Sequence, residues 1–550
     1  EGLKPVVQKI AIYRLIKLCK ELSSKYTRSK VRKKLPADYS YAIDELLNVD
    51  TTDRDKKRYF DEIVNSIVDT NAGNQFIIHL CVLAQQLAVD KLHIIGDIFD
   101  RGPRADIIMN ELINFPDVDI QWGNHDISWM GAACGNLALV ANVVRIAVSY
   151  NNFDVLEDGY GINMRPLSMF ASSVYKDDEC KSFAPKTLDE NEFDNVDVKL
   201  AAKMHKAIAI IQFKLEGQII KRHPEYYMDD RNILERINYE DFTVDIEGRI
   251  YKLNDTSFPT INPENPLELT DGEKELLNAL AASFKHSELL NRHVEFLYTN
   301  GSMYCCCNSN LLYHGCIPMN VDGSFTEVHF NSGVFKGRNM LDHINKVAKN
   351  AYYGGDESSV DFMWYLWCGR NSSVYGKSKM AAFENYFIDD KDARIEIFNP
   401  YYALSNREDI CDKIFDEFGL NPASSHIING HVPVKLKDGE SPVKANGKLY
   451  VIDGGISKAY RTRTGIAGYT LIYNSHHLAL AEHNINTEKN EALLAGQSIE
   501  NKQYKIAPKM KITEAMPERV MVADTDVGAE LHEVIEDLKI LVKAYEDGIL

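Results

Sequence analysis

The 550-residue sequence predicts an α/β protein with large, mostly helical insertions, and three features carry that prediction. A strand–loop–helix–strand–loop texture runs over about residues 88 to 145, which is a βαβ unit. Four short apolar runs each end in a loop of glycine and polar residues, as strands do at the ligand-binding edge of an open α/β sheet. Between those runs lie long charged segments with helical periodicity.

Taken in order, residues 1–85 read as an N-terminal helical segment. Ile12, Leu15, Ile16, Cys19 and Leu22 recur at helical spacing, and Ser23, Ser24 and Pro36 break the pattern. Arg28, Lys30, Arg32, Lys33 and Lys34 make the one concentrated basic stretch. Such a run is ordinarily a solvated face, and in an acidic protein it is also a candidate anion site. Residues 86–148 form the first part of the core: the run 92–95 ends at Gly96, and Val118, Ile120 and Trp122 end at Gly123. Residues 149–298 are a mainly helical insertion, in which Met204, Ile208, Ile211 and Leu215 share one side of a helix. Residues 299–334 return to the core with Leu311, Leu312 and Tyr313. Residues 335–422 are a second insertion, rich in aromatic and charged side chains. Residues 423–480 complete the core with runs at 427–428, 449–452 and 469–473. The tail, 481–550, holds a polar stretch (484–506) and an amphipathic helix at 529–547. Its Leu531, Val534, Leu538 and Leu541 stripe should be covered by the body or by another subunit.

Composition excludes several classes. Lys plus Arg is 62 and Asp plus Glu is 80, so the net charge is 62 − 80 = −18. An acidic balance argues against a nucleic-acid-coating protein, which needs a local positive field. No stretch approaches the ~20 apolar residues that span a bilayer. With 45% hydrophobic and 26% charged residues the chain can bury a large core. Ten cysteines without a CxxC pair fit neither a disulfide scaffold nor a thiolate zinc site. Cys305, Cys306 and Cys307 alternate faces on a strand and are a poor chelate, so they read as small buried apolar residues. A reducing, cytoplasmic setting is expected. The first residue is Glu1, not Met, and no apolar leader follows, so the sequence reads as unsecreted or as a processed or truncated piece.

The four loops carry the chemistry. They are Gly96-Asp97-Ile98-Phe99-Asp100-Arg101-Gly102, Gly123-Asn124-His125-Asp126, His314-Gly315-Cys316 and Gly430-His431-Val432. Singly, each has a plain structural explanation, such as an Asx turn, a helix cap or an Asp–Arg pair. All four in one chain, each after a strand-like run, point to a two-metal phosphoester hydrolase. A carboxylate such as Asp97 can bridge two divalent cations ~3.5–4 Å apart. Asn124, His314 and His431 add oxygen and nitrogen ligands, a mixed set that suits Mn²⁺, Fe or Zn²⁺ better than Ca²⁺. His125, beside a ligand, can protonate the leaving alkoxide, and Asp100 can orient that imidazole. Arg101 offers a planar fork of donors to phosphate oxygens.

These loops resemble the pattern of the calcineurin-like metallophosphoesterase superfamily: D-x-H, GDxxDR, GNH[DE], H and GH. More narrowly, nearly the whole chain is similar to the class III fructose-1,6-bisphosphatases of bacteria. Stretches that carry the likeness include SSKYTRSKVRKKLPA (23–37), VDKLHIIGDIFDRGP (89–103), VDIQWGNHDISWMGA (118–132), AIAIIQFKLEGQIIKRHP (207–224), LLYHGCIP (311–318) and FGLNPASSHIINGHVPVK (418–435). The resemblance implies a β-sandwich of two mixed sheets flanked by helices and a two-metal site with Mn²⁺. It also implies hydrolysis of fructose 1,6-bisphosphate to fructose 6-phosphate and phosphate in gluconeogenesis. It assigns Asp97 as the bridging ligand, and Asn124, His314 and His431 as ligands. His125 becomes the general acid, Asp100 its partner and Arg101 the phosphate binder. The implied partner is a small sugar bisphosphate, with no nucleic acid or membrane, and a homo-oligomer is allowed. The sugar contacts do not follow from the motifs; candidates are the run 28–34, Lys435 and Arg461.

One motif is missing. No aspartate here is followed two residues later by histidine, so D-x-H is absent. The chain therefore reads as a class III enzyme lacking its amino-terminal part. Two other expectations stand beside the bisphosphatase. One is an impaired remnant that binds one metal or a sugar phosphate. The other is a phosphoprotein or dinucleoside-polyphosphate hydrolase of the same superfamily, against which the likeness outside the motifs argues.

Overall fold

The computed structural model describes residues 3–50, 52–186, 197–455, 457, 464, 468–483 and 509–549. It is a mixed α/β protein in which helices predominate and the strands form several small sheets. No helix among the described residues is long and apolar enough to cross a membrane. The βαβ texture is present as strand Leu92–Ile94, helix Ala105–Asn114 and strand Val118–Gln121. The chain divides into two compact units, Glu1–Ile94 with Asn110–Asp119, and Ile95–Met109 with Ile120–Leu550.

The first unit is helical, as its periodicity predicts. Helices Pro5–Ser23, Ser40–Asn48, Arg54–Asp69 and Gly73–Ala88 close over a core that includes Ile12, Ile16, Leu46, Phe60 and Leu80. Helix Arg54–Asp69 shows the local logic. Asp53 caps it by accepting from the Asp55 and Lys56 amides, and Phe60, Val64 and Val68 recur every fourth residue to bury one face. Each such side chain contributes about 1.5–3 kcal/mol by leaving water. The basic run is committed within this unit. Arg28 and Arg32 both bond Asp44, at 3.0 and 2.8 Å, and Lys30 pairs with Asp90 at 2.6 Å. The Lys34 amine donates to the Gln86 carbonyl at 3.0 Å. Arg28, Lys30 and Arg32 are thus held in ion pairs within the unit, and Lys34 on a carbonyl.

The second unit is built on a five-stranded sheet. Its order is Val443–Lys444, Leu449–Val451, His426–Asn429, Asn310–Tyr313 and Tyr304–Cys307. The three central strands run parallel, and the two outer ones antiparallel. Asn310–Tyr313 and His426–Asn429 are buried along their whole length, which is why they read as continuous apolar runs. The three cysteines differ in part from expectation. Cys305 and Cys307 pack partly against the sheet's apolar cluster, but Cys306 faces outward and is exposed.

The insertions depart further. Helix Val198–Arg222 is buried on nearly every side, not on the one face that Met204, Ile208, Ile211 and Leu215 suggest. The reason is that its polar residues are paired inside. Lys206 bonds Asp178 and Asp255 at 2.6 and 2.7 Å, and Lys214 bonds Glu273 at 2.8 Å. The same insertion also holds an antiparallel sheet of the short strands Ile237–Asn238, Thr243–Ile246 and Arg249–Lys252. The last helix, Asp526–Glu546, is where predicted, and the described residues of this chain leave its stripe uncovered. Leu531, Val534, Leu538 and Leu541 are 50–53% exposed. The helix is tied down at its first turn, where Asp526 and Asn308 exchange bonds of 2.7 and 3.1 Å. The polar stretch 484–506 lies outside the described residues.

Candidate metal centre

The three parallel strands deliver their next residues side by side. Ile428 lies opposite both Leu312 and Tyr450. The chain therefore leaves the sheet at His314, at Gly430-His431 and at Asp453 along one edge. The exits are stitched together: Gly430 N–H donates to the His314 carbonyl at 2.9 Å, and Ile452 N–H to the Asn429 carbonyl at 2.9 Å. Asp97 and Asn124 arrive on two loops pressed backbone to backbone. Gly96 has φ +82°, and a Cβ there would strike the Gln121 carbonyl and Gly123. A Cβ on Gly123 would strike the Asp97 carboxylate. Only glycine fits either place. Asp126 clasps the two loops. One of its oxygens accepts from Asp97 N–H at 2.7 Å and Gly123 N–H at 2.9 Å, the other from Phe99 N–H at 3.3 Å. Asp97, Arg101 and His431 all hold positive φ, at 58°, 54° and 67°. Each costs about 1–2 kcal/mol for a residue with a Cβ, so the strain is gathered at one place.

Four acceptor-bearing side chains converge there. His314 Nε2 lies 3.3 Å from Asp97 Oδ2 and 3.3 Å from His431 Nδ1. His431 Nδ1 lies 3.0 Å from Asn124 Oδ1. His314 Nδ1 is bonded to the Ile95 carbonyl at 2.6 Å, so in the neutral ring Nε2 carries the lone pair. A carboxylate oxygen, an amide oxygen and two imidazoles facing one another need a shared positive charge. Burial alone would lower the His314 imidazole, but the Asp97 carboxylate pushes it up to about 9. Burial alone would raise Asp97, yet His314, His125 and His431 hold it well below the usual carboxylate range. Burial and the His314 charge drive His431 down to about 3. A divalent cation would supply the charge that a proton on His314 otherwise supplies. The spacing fits one: ligand atoms ~2.1 Å from a common ion lie roughly 3.0–3.4 Å apart in octahedral or tetrahedral geometry.

A second group adjoins the first through Asp97. Ligand atoms of Asp97, Asp100 and His125 lie within 4.8 Å of one another. His125 Nε2 is 3.0 Å from Asp100 Oδ1, and Arg101 Nε is 3.3 Å from the same oxygen. The His125 ring rests edge-on against Trp367, with centroids 5.1 Å apart. The structure thus brings Asp97, Asn124, His314, His431, Asp100, Arg101 and His125 into one neighbourhood. Lys435 is exposed, with its amide tied to Glu440 at 3.0 Å. Arg461 lies outside the described residues.

Two further acids adjoin the centre, Asp126 from the second loop and Asp453, to which the motifs give no role. Asp126 is the clasp just described; burial and the Asp97 charge push it up, against its backbone donors. Asp453 is half-buried and pushed up to about 6, chiefly by burial. It accepts from Gly455 N–H at 2.9 Å. A signal for it existed, since the run 449–452 ends in Asp453-Gly454-Gly455, the same strand-to-loop texture as the four recognised sites.

A cluster of mixed oxygen and nitrogen acceptors beside a buried histidine–carboxylate pair is what a metal-dependent phosphoester hydrolase requires. The family model described as firmicute fructose-1,6-bisphosphatase matches residues 4–547. Proteins named fructose-1,6-bisphosphatase class 3 from Clostridium botulinum, strains Loch Maree / Type A3 and Okra / Type B1, are 52% and 51% identical to the chain. One from Clostridium novyi, strain NT, is 51% identical. Each alignment spans 547 residues, covering 98% of this chain and 81% of the relative. No solved structure matches. The chain belongs to the class 3 fructose-1,6-bisphosphatase family.

Proposed function

We propose that the chain hydrolyses fructose 1,6-bisphosphate to fructose 6-phosphate and inorganic phosphate, the activity that its relatives' names carry. The observation that supports the chemistry is the convergence of Asp97, Asn124, His314 and His431 within 3.0–3.3 Å contacts, beside the 3.0 Å His125–Asp100 pair. Asp97, Asn124, His314 and His431 would hold the cation, with Mn²⁺ as the preferred ion. When bound, a divalent metal acidifies the attacking water and neutralises charge on the phosphate. The remaining work falls to side chains. His125 donates a proton to the sugar oxygen as it leaves, and Asp100, 3.0 Å from its Nε2, stabilises the cationic ring. Arg101 grips phosphate oxygens with its planar fork. The small sheets are read as parts of the two-sheet metallophosphoesterase sandwich; ligands at the carboxyl ends of adjacent parallel strands support that. Similarity over 547 residues supports a working hydrolase over a remnant that only binds.

The test is a coupled assay for fructose 6-phosphate release with added Mn²⁺. Turnover that depends on metal is expected. A chain that releases phosphate from p-nitrophenyl phosphate but not from fructose 1,6-bisphosphate would overturn the substrate assignment.

A further inference from the structure

A hexose bisphosphate carries a second phosphate one sugar length from the one that is cleaved. The ligand cluster and Arg101 account for the reacting phosphate only. A shallow cleft, open to solvent, starts at His125 and Arg101 and continues past Tyr150 and Asn152.

Three segments meet around Tyr150, and each is pinned. Tyr150 ends helix Leu137–Ser149, and its amide still bonds the Ala147 carbonyl at 3.2 Å. The Asn152 side-chain amide donates to the Gly102 carbonyl at 2.9 Å, which ties this turn to the Arg101 loop. Lys186 N–H donates to the Ser149 carbonyl at 2.8 Å, which sets Lys186 beside the same turn. The tyrosine ring therefore has a cation from each neighbour. The Arg101 guanidinium carbon is 5.1 Å from the ring centroid, and the Lys186 amine is 5.9 Å from it. The aromatic face draws both, although the two like charges repel. Lys186 is exposed and has no carboxylate partner among the described residues.

We propose that Lys186 and Tyr150 form the seat of the substrate's non-reacting phosphate, with the sugar lying along the cleft between that seat and His125. This rests on the bisphosphatase reading above. In this arrangement Arg101 serves the reacting phosphate, and Lys186 is the next cation outward, about one aromatic ring away. An anion placed there relieves the repulsion between the two cations and gains a charge-assisted bond from the lysine. The Tyr150 ring spaces the two positive groups, and a monophosphate substrate would use only one of them.

The experiment compares the wild-type chain with Lys186→Met, Lys186→Arg and Tyr150→Leu in two ways. First, kcat/KM is measured for fructose 1,6-bisphosphate and for p-nitrophenyl phosphate with Mn²⁺. Lys186→Met should lower the ratio of the two at least tenfold, through KM for the bisphosphate, and Lys186→Arg should restore most of it. A ratio within twofold of wild type overturns the seat. Second, fructose 6-phosphate is titrated calorimetrically, which needs no turnover. Its Kd should weaken at least tenfold in Lys186→Met and several-fold in Tyr150→Leu. A Kd within twofold of wild type in both, or no binding by wild type, also overturns it. Failure of the function assignment looks different: the wild-type chain then cleaves p-nitrophenyl phosphate and leaves fructose 1,6-bisphosphate intact.

Discussion

Single residues decide the chemistry, and three substitutions separate their parts. His125 lies 3.0 Å from Asp100 and outside the four-ligand cluster, so His125→Asn should lower kcat by ~10²–10⁴ while metal affinity stays close to wild type. Steady-state kinetics with a metal titration check both halves; a variant that turns over normally places the acid elsewhere. Asp126 has a different job. Its carboxylate receives three backbone N–H groups from both ligand loops. Asp126→Asn would turn one oxygen into a donor facing donors. A loss of about 2–4 kcal/mol in urea unfolding is expected, together with weaker metal binding. His205 supplies a pH test far from the ligands. It is 3% exposed, with Nδ1 on the Phe183 carbonyl at 2.9 Å and Nε2 on the Tyr386 hydroxyl at 3.1 Å. Burial drives its imidazole down to about 3 from an ordinary 6.5. Above pH 6.5 both folded and unfolded chains are neutral at this ring, so it adds no slope. Below pH 6.5 the unfolded chain takes a proton that the native chain refuses, and stability falls by about 1.4 kcal/mol per pH unit, on down towards pH 3. Urea midpoints at pH 6.5 and pH 5 should therefore fall less in His205→Gln than in wild type, by about 2 kcal/mol once converted to free energy. Equal slopes would show that His205 is not buried neutral.

At the scale of elements, the sequence shows a helix or strand clearly when one face meets water and the other meets the core. Helix Arg54–Asp69 is such a case, with Phe60, Val64 and Val68 on one side. Helix Val198–Arg222 is not, because Lys206 and Lys214 occupy its second face and are fully buried against Asp178, Asp255 and Glu273. Long-range partners of that kind leave no local pattern. The last helix fails in the opposite sense: its periodicity is plain, yet its stripe lies open. These two helices give opposite predictions. Ile208 has no exposed surface, and Ile208→Ala should cost about 2–5 kcal/mol. Leu538 is 53% exposed, and Leu538→Gln should change thermal stability by about 0.5 kcal/mol at most. A large loss at Leu538 would show that the stripe is covered in solution.

At the scale of the whole molecule, the site is more legible than the fold that carries it. Asp97, Asn124, His314 and His431 stand out because loops at the ends of buried strands concentrate glycine and metal-binding side chains in a few residues. Asp453 shares that texture, yet its Asp-Gly-Gly matches no recognised ligand motif. The parallel register that sets His314, His431 and Asp453 on one edge depends on pairings 428 − 312 = 116 and 450 − 428 = 22 positions apart, which no local pattern encodes. That convergence makes a prediction about the chain as a whole. Any ion that binds the folded ligand cluster and not the unfolded chain must raise stability by RT ln(1 + [L]/Kd), about 2.7 kcal/mol at a hundredfold excess over Kd. Titrating Mn²⁺ into metal-stripped protein should therefore raise Tm in proportion to the logarithm of free metal, and a chelator should reverse the rise. His314→Ala and His431→Ala should each flatten the response, since each removes one donor from a set with 3.0–3.3 Å contacts. Lys186→Met should leave the slope of that response intact, because Lys186 has no part in holding the ion. A Tm that ignores Mn²⁺, Zn²⁺ and Fe²⁺ alike would mean that the four side chains are held together by a proton on His314 and not by a cation.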